Sequence, residues 1–405
     1  MGKRATFATG CWALMLCACL PAHAQGLPDR PIVLGDGHVT LGGDASWSIA
    51  PEDTGFFNYT DYERSTLRLL RLTLLATVKA GDHFEVLSEI RSENGDRPEP
   101  YALYLRVRPW TKHNLDIQVG RVPPTFGAFA RRTYAADNPL IGYPLAYQYL
   151  TSIRADALPA NVDELLRMRA RGWLSNFSVG NPAPGPGVPL MSAFRWDTGV
   201  QVHTGNDLLD VTASVTAGTL SNPQVTDDNG GRQLAGRVAL HPVAGLVVGG
   251  SAASGAFVSQ SAVRTALPDA RGGDFTQTAW GGDIEYSRAY YLVRLETVIS
   301  RWTLPVAQPP LTELPLTAIA TSVEGRYKLL PGLYAAARVD HLGFSEVEGS
   351  AARESWDAPV NRWEVGGGYS LQRNLVLKLA YQRNRRDGGR VQDLGLGTAQ
   401  IVFWF

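Results

Sequence analysis

The sequence predicts an all-β chain that closes into a transmembrane up-and-down antiparallel β-barrel of about sixteen strands, with one long loop folded inward. Three observations carry that expectation. Apolar and polar residues alternate with period two over most of the chain after residue 37. The connections alternate between short and long. No stretch beyond the N-terminus reaches the roughly 18 uninterrupted apolar residues that a membrane helix needs, so a membrane would be crossed by strands.

Composition removes other classes. The chain has 405 residues, with 38 Lys+Arg against 38 Asp+Glu. Nucleic-acid binders draw affinity from a basic excess, so no nucleic-acid partner is expected. The N-terminus begins with Lys3 and Arg4, continues through an apolar run from Cys11 to Leu20, and ends at Ala22-His23-Ala24. That order is a secretory signal over residues 1–24, with the exported chain starting at Gln25. A competing reading takes Leu16-Cys17-Ala18-Cys19 as a lipoprotein box with Cys19 lipidated. Cys11, Cys17 and Cys19 are the only cysteines, so removal of the signal leaves neither disulfides nor thiol chemistry. Residues 25–37 are expected to be a periplasmic N-terminal segment and 38–405 the barrel.

The first strand, 38–49, shows the pattern. One face carries Val39, Leu41, Gly43, Ala45, Trp47 and Ile49; the other carries His38, Thr40, Gly42, Asp44, Ser46 and Ser48. The same separation places strands near 66–79, 82–91, 101–109, 114–121, 194–203, 208–218, 232–240, 245–253, 277–287, 289–300, 318–328, 332–342, 360–370, 373–383 and 396–405. Turns such as Ala80-Gly81 and Ser287-Arg288 alternate with Gly/Pro/Asp-containing stretches such as 50–65 and 254–276. Tyr101, Trp110, Trp280, Tyr286, Tyr290, Trp302, Trp363, Tyr369 and Tyr381 fall near strand ends, where interfacial girdles sit.

Residues 122–193 form a third long connection, far beyond the length of an ordinary loop. It contains a short helix signal at Val162 to Ala170, a Pro/Gly cluster at Asn181 to Pro189, and a Tyr/Leu-rich stretch, Ala135 to Tyr149, suited to packing on the wall or on another subunit.

A barrel this wide encloses water, so the polar phase faces the lumen. Pore-lining or constriction candidates are Arg71, Arg106, Arg108, Arg131, Arg132, Arg195, Arg294, Arg338, Glu85, Glu89, Asp197 and Glu296. On a lipid face a basic side chain at the midplane costs about 2–4 kcal/mol. Both signs occur, and neighbours such as Arg294 and Glu296 or Arg362 and Glu364 are placed to pair. The loop has a slight basic bias, from which a mild anion preference is expected.

The last strand ends Ile401-Val402-Phe403-Trp404-Phe405. Phe405, Phe403 and Ile401 on one face resemble the C-terminal assembly signal of Gram-negative outer-membrane proteins, and the whole exported chain resembles the sixteen-stranded porins of that membrane. Gly120-Arg121-Val122-Pro123-Pro124-Thr125-Phe126-Gly127 is similar to a strand-to-loop junction of phosphate-selective porins, over about ten residues; no phosphate site is carried over from it. The resemblance implies the outer membrane as location, outer-membrane lipid and lipopolysaccharide as surroundings, the barrel-assembly machinery as partner, a homotrimer, and a third loop that narrows the lumen.

Other chemistry finds little footing. The histidines lack metal-site spacing, Asp227-Asp228-Asn229-Gly230 lacks a calcium loop's spaced ligands and reads as a solvated turn, and no G-x-S-x-G elbow occurs. No metal, cofactor or enzyme activity is expected. Gly366-Gly367-Gly368, inside a strand, makes room for a neighbour or a bend. The functional expectation is a passive channel for small hydrophilic solutes or ions. The alternative is a closed barrel that acts in adhesion or surface binding through its loops. A specific transporter would need inward aromatics, of which Tyr104 is the clearest.

Overall fold

The computed structural model describes residues 28–61, 63–110, 112–129, 132–193, 196–266, 270–306 and 312–405. Its principal sheet has 17 strands. One is the three-residue Ile32–Leu34, paired with the strand after it. The other sixteen form the wall: β1 Val39–Ile49, β2 Leu70–Ala80, β3 Phe84–Glu93, β4 Glu99–Val107, β5 Leu115–Val122, β6 Asp197–Gly205, β7 Leu209–Thr216 and β8 Gln233–Val243. They continue as β9 Leu246–Ala256, β10 Thr276–Arg288, β11 Tyr291–Val306, β12 Thr312–Leu330, β13 Leu333–Phe344, β14 Val360–Gln372, β15 Leu375–Arg386 and β16 Asp393–Trp404. Each pairs antiparallel with the next, and β16 returns to β1 in the register Trp47↔Ile401.

Closure and phase follow from the alternation. Leu70, Leu72 and Leu74 of β2 lie exposed on the outside while Arg71 and Thr73 between them turn inward and are buried. The closed sheet pairs its backbone groups internally, as a wall standing in hydrocarbon must, and its outer face is a belt of exposed Leu, Val and Ile. β5 and β6 pair directly, Val122↔Asp197, although residues 123–196 intervene. That insertion therefore leaves the sheet without breaking it.

β11 and β12 run further than their alternation suggested, pairing out to Val306↔Thr312 as one long hairpin. Trp110, Trp280, Tyr290, Trp363, Tyr369 and Tyr381 are exposed, as girdle residues are. Two of the expected girdle aromatics are not on that face. Tyr101 is buried inside and its hydroxyl donates to Ala193 O at 3.0 Å. Trp302 is fully buried edge-on to Trp356, ring centroids 5.8 Å apart. Both stand at strand ends where the inner face meets loops, so position along the strand alone misassigns them.

The apolar core lies within the loop-filled half of the barrel. Phe57, Phe126, Phe177, Phe257, Phe275, Trp302 and Trp356 pack there, most of them supplied by the connections. The predicted helix forms at Val162–Arg167, capped by the Asn161 side chain, which accepts from Glu164 N at 2.9 Å. Asp227 to Gly230 is not simply a solvated turn. Asn229 is fully buried and donates to Ala217 O at 3.1 Å and Ala256 O at 2.7 Å, pinning the turn to the wall.

The chain end seals the seam. Phe405 N donates to Gly43 O at 3.0 Å, Gly43 N donates to Phe405 O at 3.1 Å, and a Cβ on Gly43 would stand 2.9 Å from the Phe405 ring. Deleting Phe405 removes both bonds and the ring. The expected result is a smaller fraction of chains reaching the compact, heat-modifiable electrophoretic form in a timed refolding assay; unchanged yield and rate would refute a role in closure.

Candidate functional site

The lumen is the candidate site, and the described residues of 123–129 and 132–149 determine its shape. The segment first follows the wall. Gln201 on β6 donates to Pro123 O at 2.8 Å, Thr125 donates to Ser214 on β7 at 2.8 Å, and Gly127 N donates to Ser251 on β9 at 3.1 Å. Phe126 lies against Gly281 of β10, where a Cβ would be 2.8 Å from the ring. Ala128 N then donates to Glu296 on β11 at 2.8 Å.

Next the chain crosses the barrel. Within six residues it passes from Glu296 to the opposite wall, where Arg71 on β2 donates to Thr133 O at 3.3 Å and Tyr134 donates to Glu89 on β3 at 2.5 Å. Arg132, on this bridge, is paired with Glu285 of β10. The chain then returns along β15 to β11. Lys378 donates to Ala135 O and Asn138 O, both at 2.5 Å, and Tyr334 donates to Pro139 O at 3.0 Å. Tyr334 leans across Gly368, where a Cβ would meet its ring at 2.5 Å, so this glycine of the triplet makes room for a loop anchor. Tyr147 closes the circuit by donating to Glu296 at 2.7 Å. Burial, and next the Glu296 carboxylate beside it, hold the Tyr147 phenol well above its ordinary pKa, so it keeps the proton it donates.

Under the returning stretch the wall is an ionic network sealed from water. Arg338 is fully buried and donates to Asp340 at 3.1 Å, Glu324 at 3.3 Å, Glu364 at 2.6 Å and Gly142 O at 2.8 Å. Glu364 in turn accepts from Gly142 N at 3.0 Å. Arg362 donates to Asn384 at 2.6 Å, Tyr143 O at 3.0 Å and Phe57 O at 2.7 Å. The pairs expected two residues apart on one strand do not form: Arg294 pairs with Glu285 and Glu324, each at 2.9 Å, and Glu364 pairs with Arg338. Directly opposite strands bring side chains closer than neighbours on one strand. Ala135 to Tyr149 is thus packed on the wall of its own barrel.

The expected constriction residues do not form one ring. Arg106 and Arg108 lie at the short-turn end, where they pair with Glu85 at 3.3 and 3.7 Å, and Arg108 with Asp116 at 2.8 Å. Arg71, Glu89, Arg338 and Glu296 anchor the loop. Asp197 acts as a backbone clasp, accepting from Thr198, Gly218 and Gln224 amides. Arg132 and Arg294 meet at Glu285. Arg131 and Arg195 lie outside the described residues.

Among the described residues, polar side chains line two clefts on the loop-bearing end. The larger, about 490 Å³, lies between connections and is lined by Asp61, Arg154, Asp156, Asn181, Ser221 and Asp228 among others. Arg154, fully buried, shapes it by donating to Asp156 at 2.8 Å and to Ser175 O and Ala183 O at 3.0 and 2.7 Å. The smaller, about 110 Å³, sits at the ends of β3 to β5 and is lined by Arg64, Arg91, Glu93, Arg97, Tyr101 and Arg121 among others. Alternation within strands could have found Arg91; Arg64 and Arg97 come from connections, whose placement no periodicity reports.

No family model matches the chain, and no curated protein matches it. Solved structures do. The in-vitro folded outer membrane protein OmpT of Vibrio cholerae aligns with TM-score 0.53 at 13% identity, covering 92% of this chain and 99% of that one. The chain has a porin-like fold. The anion-selective porin from Comamonas acidovorans aligns with TM-score 0.55 at 9% identity over 91% and 99% of the two chains. The outer membrane channel DcaP of Acinetobacter baumannii aligns with TM-score 0.52 at 13% identity over 93% and 100%. At these identities the porin-like likeness concerns architecture and carries no residue roles.

Proposed function

We propose that this barrel is a non-enzymatic outer-membrane channel through which small hydrophilic solutes and ions diffuse passively, with a mild preference for anions. One observation carries the reading: at the bridge and at the short-turn end, the lumen is charged and partly open. Side chains of Arg132 on the bridge, Glu285 beside it and Arg106 at the short-turn end keep 22, 24 and 23% of their surface exposed, whereas Arg338 and Glu364 under the loop keep 0 and 1%. A charged, partly exposed lining is what a conduction path requires.

The slight basic bias of the long loop supports the sign. Export through the cleaved signal at 1–24 and passage through the assembly machinery, with Phe405, Phe403 and Ile401 as its signal, complete the proposal. So does a homotrimer, a form in which OmpT of Vibrio cholerae has been solved. Single-channel recording in a planar bilayer under a salt gradient tests the function. Stable conductance steps with a reversal potential of anionic sign are expected, and a cationic sign would sink the preference. The apolar loop core in the same half of the barrel favours a second reading, a closed barrel that binds through its loops. Silence from correctly folded protein would select it.

A further inference from the structure

β3 places Arg91 and Glu93 two residues apart, on the smaller cleft that β4 and β5 complete. Both side chains are more than nine-tenths buried, with 5 and 8% of their surface exposed. Arg91 lies over the Tyr101 ring, its guanidinium carbon 3.4 Å from the centroid, and donates through Nη2 to Glu89 at 2.7 Å. Its Nε and Nη1 have no acceptor. Glu93 accepts from Arg71 at 2.8 Å through Oε1, while its Oε2 has no donor; Arg64 Nη1 stands 3.9 Å from it. Arg91 and Glu93, each carrying a polar atom sealed from water and without a hydrogen bond, thus line one cleft, and a buried group without a hydrogen bond costs free energy until something bonds it.

The cleft, about 110 Å³, is several times the roughly 15 Å³ that a single water needs, so it has room for a small solute. A simple anion would satisfy Arg91 but meet Glu93 and Glu99; a simple cation would satisfy Glu93 but meet Arg91 and Arg97. A molecule with a carboxylate and an ammonium on one carbon answers both at once. We propose that this cleft is a subsite for such a small zwitterion, of the α-amino acid class, on the channel's path. The subsite rests on the channel reading and specifies a solute class for it.

The probe is L-alanine, added on the long-loop side of the reconstituted protein in a planar bilayer, with propionate and propylamine as single-charge comparators. L-alanine is expected to reduce the single-channel current at a concentration about tenfold below that needed by either comparator. Arg91→Gln and Glu93→Gln should each erase that advantage. If propionate matches alanine, or none of the three acts on conducting channels, the subsite is overturned and the channel reading stands. Absence of conducting steps overturns both. The wild-type comparison decides the matter alone should either variant fail to fold.

Discussion

Excising residues 130–141 and joining the cut ends through two glycines raises the single-channel conductance severalfold. The cut removes the bridge and the first part of the return. Ala128 N and Tyr147 Oη already share the Glu296 carboxylate, so both flanks are tethered to one wall and a short joint can reach. Bonds are lost on the far wall, at Arg71, Glu89 and Lys378, and also at Tyr334 and at Glu285, which loses Arg132. A barrel of sixteen strands encloses more space than its own side chains fill, so the freed section becomes water. Unchanged conductance in a folded variant would mean that the bridge does not limit flow.

Arg338→Met lowers the thermal midpoint at which the barrel loses its compact electrophoretic form, and it loosens the loop at Gly142. Arg338 is the common partner of Asp340, Glu324 and Glu364, with no surface exposed to water. Removing one member of a buried ion network strands the others, at a cost of about 3–5 kcal/mol. Arg338→Met combined with Glu364→Gln removes one stranded charge, so the pair should cost less than the sum of its singles. A wild-type midpoint for Arg338→Met would show that the network contributes no net stability.

Much of the wall was legible in the sequence. In a closed sheet, side chains alternate between lipid and lumen without exception for long runs, so strands such as 360–370 and 332–342 could be placed within a few residues of Val360–Gln372 and Leu333–Phe344. The loop helix was legible because capping is local: Asn161 and Glu164 are three residues apart. Pairing across the lumen was not. Lys378 meets Asn138, and Arg362 meets Phe57, across hundreds of residues with no periodic relation between them.

The sequence by itself determined the strand number, the inward phase and the place of the long insertion, because each depends on local alternation and turn chemistry. Only the tertiary structure decided what the inward charges do. Glu89, Arg106, Arg338 and Arg91 share one phase, yet they respectively hold the loop, edge the short-turn end, bind a buried network and face a cleft. The difference is which group stands opposite across the lumen, and that depends on the path of the chain through space.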